Sequence, residues 1–220
     1  MTSNRYELYS HYERVWHWLQ AAGILLLLLT GTAIHAPDRL GVIPFQTAVT
    51  VHNVLGLILV LNAFLGLFYY VATGTIRQYL PEPHDFISLS FQQAVYYLRG
   101  MFRGEPHPLV KVPQHRLNPL QQITYLAILN VLLPLQVVTG LLMMGAQQWP
   151  ETVSSVGGLG VLAMIHTLGA WLFVSFIIMH VYLTTTGHTP LSNIKAMILG
   201  YEEIPHEVAP AVVEVRKTTP

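Results

Sequence analysis

The sequence contains no cysteine, and only 10% of its residues are charged. The absence of cysteine excludes disulfides, thiolate catalysis, iron–sulfur clusters and covalent haem attachment through a Cys-x-x-Cys-His motif. Any redox chemistry must therefore use a non-covalent cofactor that histidine or methionine holds. The formal net charge is zero, so nothing in the chain favours nucleic acid as a partner.

Hydrophobic residues, by contrast, make up 52% of the 220 residues, and the mean hydropathy is +0.46. These values are typical of a membrane protein. Four uncharged apolar runs are each long enough to cross a hydrocarbon core, which takes about 20 residues. The sequence therefore predicts an all-α integral membrane four-helix bundle, because helices satisfy every backbone group internally. We expect one domain over residues 1–203, followed by a tail at 204–220. The predicted spans are 15–36, 49–72, 121–145 and 161–185.

Four spans place both termini and the connection 73–120 on the same side. That side carries ten of the eleven basic residues, and only Arg39 lies on the other. The positive-inside rule therefore predicts cytoplasmic termini and external loops at 37–48 and 146–160. The first run ends in HAPDR rather than at a small-residue cleavage site, so we interpret it as a retained helix and not a signal peptide.

His166 and His180 lie fourteen residues apart in the last apolar run. In a helix this spacing returns to nearly the same face and separates the two side chains by roughly 21 Å along the axis. One helix therefore offers ligands at two membrane depths. Ionisable side chains inside a membrane are costly and usually functional, and the usual cofactor for paired histidines is haem.

Depth also assigns a partner to each of these two histidines. His17 lies just inside the cytoplasmic start of the first span, level with His180, and His52 lies just inside the external start of the second, level with His166. Two bis-histidine b-type haems follow, stacked across a helix bundle. An iron with both axial positions filled does not readily bind oxygen or substrate, so the predicted work is electron transfer.

Other interpretations of these residues stay open. A lone histidine near a helix end is more often interfacial than a ligand, and a transporter or anchor whose histidines relay protons or bind metal is a non-redox alternative. The remaining histidines are predicted to be interfacial or solvated; they are His11, His35, His84, His107, His115, His188 and His206.

Glycines in the spans could make room for porphyrin or allow close helix contact. These glycines are Gly23, Gly31, Gly56, Gly66, Gly140 and Gly169.

The segments RVWHWLQAAGILLLLLTG and HTLGAWLFVSFIIMHVYL, with the His52 helix between them, resemble a known family. They are similar to the cytochrome b subunits of bacterial formate dehydrogenases, nickel–iron hydrogenases and thiosulfate reductases, in the b561-like superfamily. The resemblance covers residues 8–203. It implies a subunit of the bacterial inner membrane with two haem b groups. His17 and His180 would bind one haem, and His52 and His166 the other. Its partners would be menaquinone or ubiquinone near the cytoplasmic haem and an external subunit with iron–sulfur, molybdenum or multihaem centres.

The resemblance also implies a quinone site. The family has an Asn-x-x-Gln motif ahead of the third helix, and RLNPLQQITY offers Asn118 and Gln121 there, beside His180. Pro119 departs from the family pattern. Amide side chains can bond both quinone and quinol, but Asn118 followed by proline is equally a good helix N-cap.

Two segments outside the spans are predicted to be surface helices. In SLSFQQAVYYLRGMFRG, apolar residues recur at helical spacing beside two arginines, which indicates an interfacial amphipathic helix or a partner-docking surface. Residues 190–203 indicate a second short helix. A stand-alone b561-type cytochrome that passes electrons from a small reductant to quinone is the alternative function.

Overall fold

The computed structural model describes residues 4–38, 43–81, 86–105, 116–187 and 189–204. This part of the chain is all-α apart from one pair of short strands, which confirms the predicted fold class. Almost all of the predicted tail at 204–220 lies outside the described residues. The long elements are α1 (His11–His35), α2 (Phe45–Ala72), α3 (Phe86–Val95), α4 (Pro119–Ala127), α5 (Leu133–Met144) and α7 (Gly158–Thr184), and the short ones are α6 (Pro150–Ser155), α8 (Ser192–Leu199), β1 (Asn4–Glu7) and β2 (Tyr201–Ile204).

Four helical segments are long and apolar enough to cross a membrane, and the protein is a multi-pass membrane protein. Their large apolar side chains are widely exposed; Phe64 and Phe68 of α2, for example, are 67% and 74% exposed. Such surfaces are costly in water but suit a lipid environment. Each segment begins two to four residues earlier than the sequence predicts, and the segments are His11–His35, Phe45–Ala72, Pro119–Met144 and Gly158–Thr184.

The third span is not a regular α-helix. A π-helical turn at Ile128–Leu132 separates α4 from α5. Pro134 follows this turn and has no backbone N–H, so the α-helical bond to the carbonyl of Asn130 cannot form. The wider π-turn lets the chain pass this missing bond and continue as one span.

The structure divides into two compact units. The membrane unit, as we call it, comprises Val15–Ala72 and Ile128–Met179 and contains the middle portions of all four spans. Within it, α1 and α2 are joined by polar contacts as well as apolar ones. Trp16 Nε1 donates to the carbonyl of Asn62 at 2.8 Å, and Asn62 Nδ2 donates to Gln20 Oε1 at 2.7 Å.

Three of the span glycines are sites of close helix contact, as one of the two sequence interpretations predicted. A methyl group at Gly23 would lie 2.6 Å from Leu59 Cδ2, and one at Gly169 would lie 2.7 Å from Gln136 Oε1. Gly66 likewise packs against the indole of Trp16. Larger residues at these positions would push α1 from α2, or α5 from α7.

The second unit, which we call the surface unit, comprises Met1–Arg14, Thr73–Ala127 and His180–Pro220. The buried guanidinium of Arg116 connects the first two of these segments. It forms an ion pair with Glu13 at 2.8 Å, donates to the carbonyl of Leu8 at 2.6 Å and donates to Gln78 Oε1 at 2.8 Å. Glu13 also accepts a bond from the backbone N–H of Ser10 at 2.8 Å, which caps the start of α1.

The two strands pair antiparallel, with Asn4 opposite Ile204 and Glu7 opposite Tyr201. The prediction of a helix over 190–203 is correct for Ser192–Leu199 but wrong for its last residues. Gly200 ends α8 because it adopts a left-handed conformation with φ of 93°. The residues after it then pair with β1, a partner almost the whole chain away that local periodicity cannot reveal.

Candidate functional site

His52 of α2 and His166 of α7 come together inside the membrane unit. Their ring centroids are 6.2 Å apart, and both residues are half-buried. The sequence predicted that these two residues lie level in the membrane, and they are neighbours in the structure.

Each of the two imidazoles is held by a threonine of a neighbouring helix. Thr30 Oγ1 on α1 lies 2.9 Å from His52 Nδ1, and Thr139 Oγ1 on α5 lies 2.8 Å from His166 Nδ1. The hydroxyl of Thr30 also donates to the carbonyl of Leu26 at 2.8 Å. The hydroxyl of Thr139 does the same to the carbonyl of Leu135 at 2.7 Å.

These paired contacts suit one tautomer of each ring. A threonine hydroxyl has one proton, and a threonine in a helix commonly donates it to the carbonyl of its preceding turn. With that assignment the threonine oxygen accepts from the imidazole, and Nδ1 of His52 and of His166 carries the proton. The lone pair of each ring then lies on Nε2, the form in which neutral histidine binds a metal.

Glycine follows each of these threonines and gives the ring its space. A Cβ atom at Gly31 would lie 3.2 Å from His52 Cε1, and a Cβ atom at Gly140 would lie 3.3 Å from His166 Cε1. Both distances are shorter than ordinary van der Waals contact. The glycines therefore make room for the imidazoles, whereas Gly56, one turn beyond His52, has open space around it.

The chemistry of the pair fits a metal centre. Neutral imidazole is the commonest metal ligand among side chains, and His52 and His166 approach each other from two helices with a centroid distance of 6.2 Å and an interplanar angle of 68°. Within the described ranges there is no cluster of three or more His, Cys, Asp or Glu side chains that could hold a metal. In a bis-histidine haem, two histidines bind the iron and the porphyrin supplies its other ligands.

The other two predicted ligands, His17 and His180, lie in different units. His17 is half-buried in α1, and its ring makes an edge contact with Trp18 at a centroid distance of 5.2 Å. His180 is half-buried in the last turns of α7. Their pairing stays a prediction from depth and resemblance. His11 and His35 are exposed, as predicted, and the remaining histidines lie outside the described residues.

Asn118 and Gln121 form a reciprocal cap at the start of α4. Asn118 Oδ1 accepts from the backbone N–H of Gln121 at 2.9 Å, and Gln121 Oε1 accepts from the backbone N–H of Asn118 at 3.1 Å. The N-cap interpretation is confirmed. Asn118 Nδ2 also donates to the hydroxyl of Tyr97 at 3.0 Å, and burial raises the pKa of Tyr97 above its usual range, so this hydroxyl stays protonated.

Comparison with known proteins decides the family of the chain. Residues 8–200 match the model of the prokaryotic cytochrome b561 family. The chain belongs to this family. Family membership implies haem b as the cofactor and electron transfer as the activity, in agreement with the histidine pair.

Three relatives of this cytochrome illustrate the range of the family. The cytochrome YdhU of Escherichia coli (strain K12) is 36% identical over 197 residues, 88% of this chain and 73% of the relative. YedZ1 of Azospira oryzae, named as a subunit of a protein-methionine-sulfoxide reductase, is 25% identical over 82% of this chain and 91% of its own. A Ni/Fe-hydrogenase B-type cytochrome subunit of Rhodobacter capsulatus is 28% identical over 86% of this chain and 78% of its own.

Sequence reasoning missed the residues that hold the histidines of this cytochrome. A threonine in a helix usually bonds its own preceding turn, as Thr30 and Thr139 do, so neither attracts attention alone. The available signal was a repeated dipeptide, Thr30-Gly31 in the first span and Thr139-Gly140 in the third. Each faces a histidine of the following span, so the two halves of the chain repeat one arrangement that their overall sequences do not show.

Proposed function

We propose that this chain is the di-haem cytochrome b subunit of a larger quinone-linked oxidoreductase of the bacterial inner membrane. His52 and His166 hold one haem near the external face, and His17 and His180 hold a second near the cytoplasmic face. When bound, haem b supplies reversible one-electron iron chemistry. Electrons cross the membrane between an external partner enzyme and the quinone pool.

The single observation that carries this proposal is the His52–His166 pair. The two imidazoles lie with their centroids 6.2 Å apart and would together hold one haem, and the threonine contacts at Nδ1 leave each Nε2 for the iron. A histidine pair that served only packing would have no reason for two matched tautomer-fixing contacts. Membership of the cytochrome b561 family favours haem ligation over the proton-relay alternative.

The inner centre is supported by helix geometry. His166 and His180 both belong to α7 (Gly158–Thr184), as the sequence spacing requires of two ligands on one helix. His17 lies in the second turn of α1, the end of the first span that the charge distribution assigns to the cytoplasm. We therefore expect His17, at that end of α1, to share the inner haem with His180.

The need for a partner follows from the chemistry that this chain lacks. It has no cysteine for iron–sulfur centres, and its external loops are short. Two of the relatives named above are subunits of oxidoreductases, a hydrogenase and a methionine-sulfoxide reductase. We place the docking surface of an external iron–sulfur, molybdenum or multihaem subunit at residues 37–48 and 146–160, of which 39–42 lie outside the described residues.

For the quinone, the cap geometry favours Gln121 over Asn118 as the contacting residue. Both side-chain oxygens of the Asn118–Gln121 pair accept backbone N–H groups, and Asn118 Nδ2 donates to Tyr97. The amide nitrogen of Gln121 takes no part in these bonds. It is a donor of the kind that a quinone carbonyl requires, at the cytoplasmic boundary of the third span.

A pair of variants tests this quinone site. Gln121→Glu keeps an oxygen for the cap but loses the Nε2 donor, whereas Asn118→Ser keeps a capping oxygen and serves as the control. With menaquinol or ubiquinol as reductant, haem reduction should slow roughly 3- to 10-fold in Gln121→Glu, the effect of one net hydrogen bond. It should be unchanged in Asn118→Ser. Equal rates of haem reduction in both variants would show that Gln121 does not contact the quinone.

Purification from native membranes tests the partner. We expect an external oxidoreductase subunit to copurify with the chain, and its metal centres to identify the substrate. If the chain purifies alone and reduces quinone from a small reductant at a physiological rate, it is instead a stand-alone b561-type cytochrome.

A further inference from the structure

The segment between the second and third spans has three distinct faces. It runs through α3 (Phe86–Val95), a π-helical turn at Tyr96–Gly100 and a 3₁₀ turn at Met101–Arg103. Its inner face is polar and packed within the surface unit; Gln93 is fully buried, and Tyr97 bonds Asn118. The other two faces are both exposed but differ in chemistry.

One exposed face is a continuous apolar stripe. Its five members are spaced three or four residues apart, so they recur on one side of the segment. Phe91, Leu98 and Phe102 are 71%, 74% and 73% exposed. Ile87 and Val95 complete the stripe, at 84% and 41% exposed. A stripe of this size facing water would be costly and would favour aggregation.

The second exposed face is polar and adjoins the stripe. Ser88, Gln92, Arg99 and Arg103 are all exposed. Each directly follows a residue of the stripe in the chain and so lies on the adjoining side of the segment. An apolar face and a cationic face side by side on one helix are the pattern of a helix that lies at a membrane surface.

Contacts within the surface unit place this segment at the level of the membrane boundary. Tyr97 accepts its bond at 3.0 Å from Asn118, the residue that caps the third span. Met101 Sδ lies 4.0 Å from the hydroxyl of Tyr182, in the last turn of the fourth span. The segment is therefore attached to one end of each of two spans, where the hydrocarbon core gives way to headgroups.

We propose that residues 86–103 lie in the plane of the cytoplasmic leaflet, with the apolar stripe among the acyl chains and Arg99 and Arg103 at the lipid phosphates. Anionic lipids of that leaflet complement the charge of the two arginines. The leaflet assignment rests on the topology proposed above, whereas the in-plane position rests on the contacts themselves. The occupant of the stripe is lipid rather than a protein partner.

The absence of native cysteine makes a direct test possible, because each introduced thiol is the only one in the chain. Phe91→Cys and Leu98→Cys place it on the apolar stripe, and Ser88→Cys and Gln92→Cys are matched controls on the polar face of the same segment. The probe is a charged, membrane-impermeant maleimide, applied to inside-out membrane vesicles and to the purified chain in lipid nanodiscs. An unchanged haem absorption spectrum verifies that each variant retains its fold and cofactor.

We expect the two stripe thiols to react at least about tenfold more slowly than the controls in both preparations, because lipid excludes the reagent and disfavours the thiolate. Equal rates for all four thiols in both preparations would overturn the proposal. Slow reaction of the stripe in native vesicles but fast reaction in nanodiscs would assign the stripe to a protein partner instead. Control thiols that react in right-side-out but not inside-out vesicles would reverse the topology and so contradict the cytoplasmic placement.

Discussion

The imidazole rings of His52 and His166 lie with their centroids 6.2 Å apart, each against a Thr-Gly pair of a neighbouring helix. Four spans contribute to this arrangement: α1 and α5 provide the threonines and glycines, and α2 and α7 provide the histidines. The histidines are thus oriented by the bundle itself. The threonine contacts restrict the orientation of each ring, and such restraint lowers the cost of ordering the ligands of a bound haem.

Replacement of Thr30 by valine should remove the hydrogen bond at His52 Nδ1 and leave the histidine itself in place. Loss of the Nδ1–H acceptor makes the imidazole less basic, so the oxidised iron is less stabilised and the midpoint potential of the outer haem should rise. Haem retention should weaken roughly 10- to 100-fold, the usual effect of losing such a contact. A potentiometric titration with optical detection measures the first effect, and haem content after dilution measures the second.

Two control variants accompany this substitution. Thr30→Ser keeps the hydroxyl and should restore the wild-type potential. Thr32→Val removes a hydroxyl from the same helix that bonds only the carbonyl of Leu28, and it should change nothing at the haem. If Thr30→Val behaves like Thr32→Val, the threonine has no role in orienting His52.

Gly31→Val should disturb the site by steric pressure alone. A Cβ atom at Gly31 lies 3.2 Å from His52 Cε1, and the branched side chain would extend further into the ring, so we expect one haem to be lost. Gly56→Val is the matched control, because nothing lies within 4 Å of a Cβ atom there. Haem content per chain distinguishes the two variants. Equal haem loss in both would indicate a general effect of valine on the helices.

The spans and the proximity of His52 and His166 were predictable because long apolar runs and the histidines within them are both conspicuous in the sequence, whereas the pairing of His17 with His180 stays a prediction. Uncharged apolar runs of this length are typical of membrane spans, and histidine is rare within them. The threonine contacts were not predictable, because Thr30 and Thr139 each satisfy their own helix and the contact with histidine depends on helix packing. The pairing of strands Asn4–Glu7 and Tyr201–Ile204 was not predicted for a similar reason. Strands of four residues carry little periodicity, and these two lie at opposite ends of the chain.

Arg116 and Glu13 should contribute to the stability of the protein as a strongly coupled pair. Both side chains are buried, at 9% and 7% exposed, so Arg116→Met leaves a carboxylate without its partner and should cost about 3–5 kcal/mol. Adding Glu13→Gln removes that uncompensated charge and should recover part of the loss. Thermal unfolding followed by circular dichroism gives the double-mutant cycle. Additive effects of the two substitutions would show that the pair contributes no coupling energy.

Haem content per chain tests the central claim most directly. The purified wild-type chain should contain two b-type haems, measured as haem and iron against protein, and reduction should produce the difference bands of haem b. His52→Ala and His166→Ala should each contain one haem, with the spectrum of the remaining centre unchanged. If the wild-type chain lacks these bands, or if both variants retain the wild-type haem content, the proposed ligation by His52 and His166 is wrong.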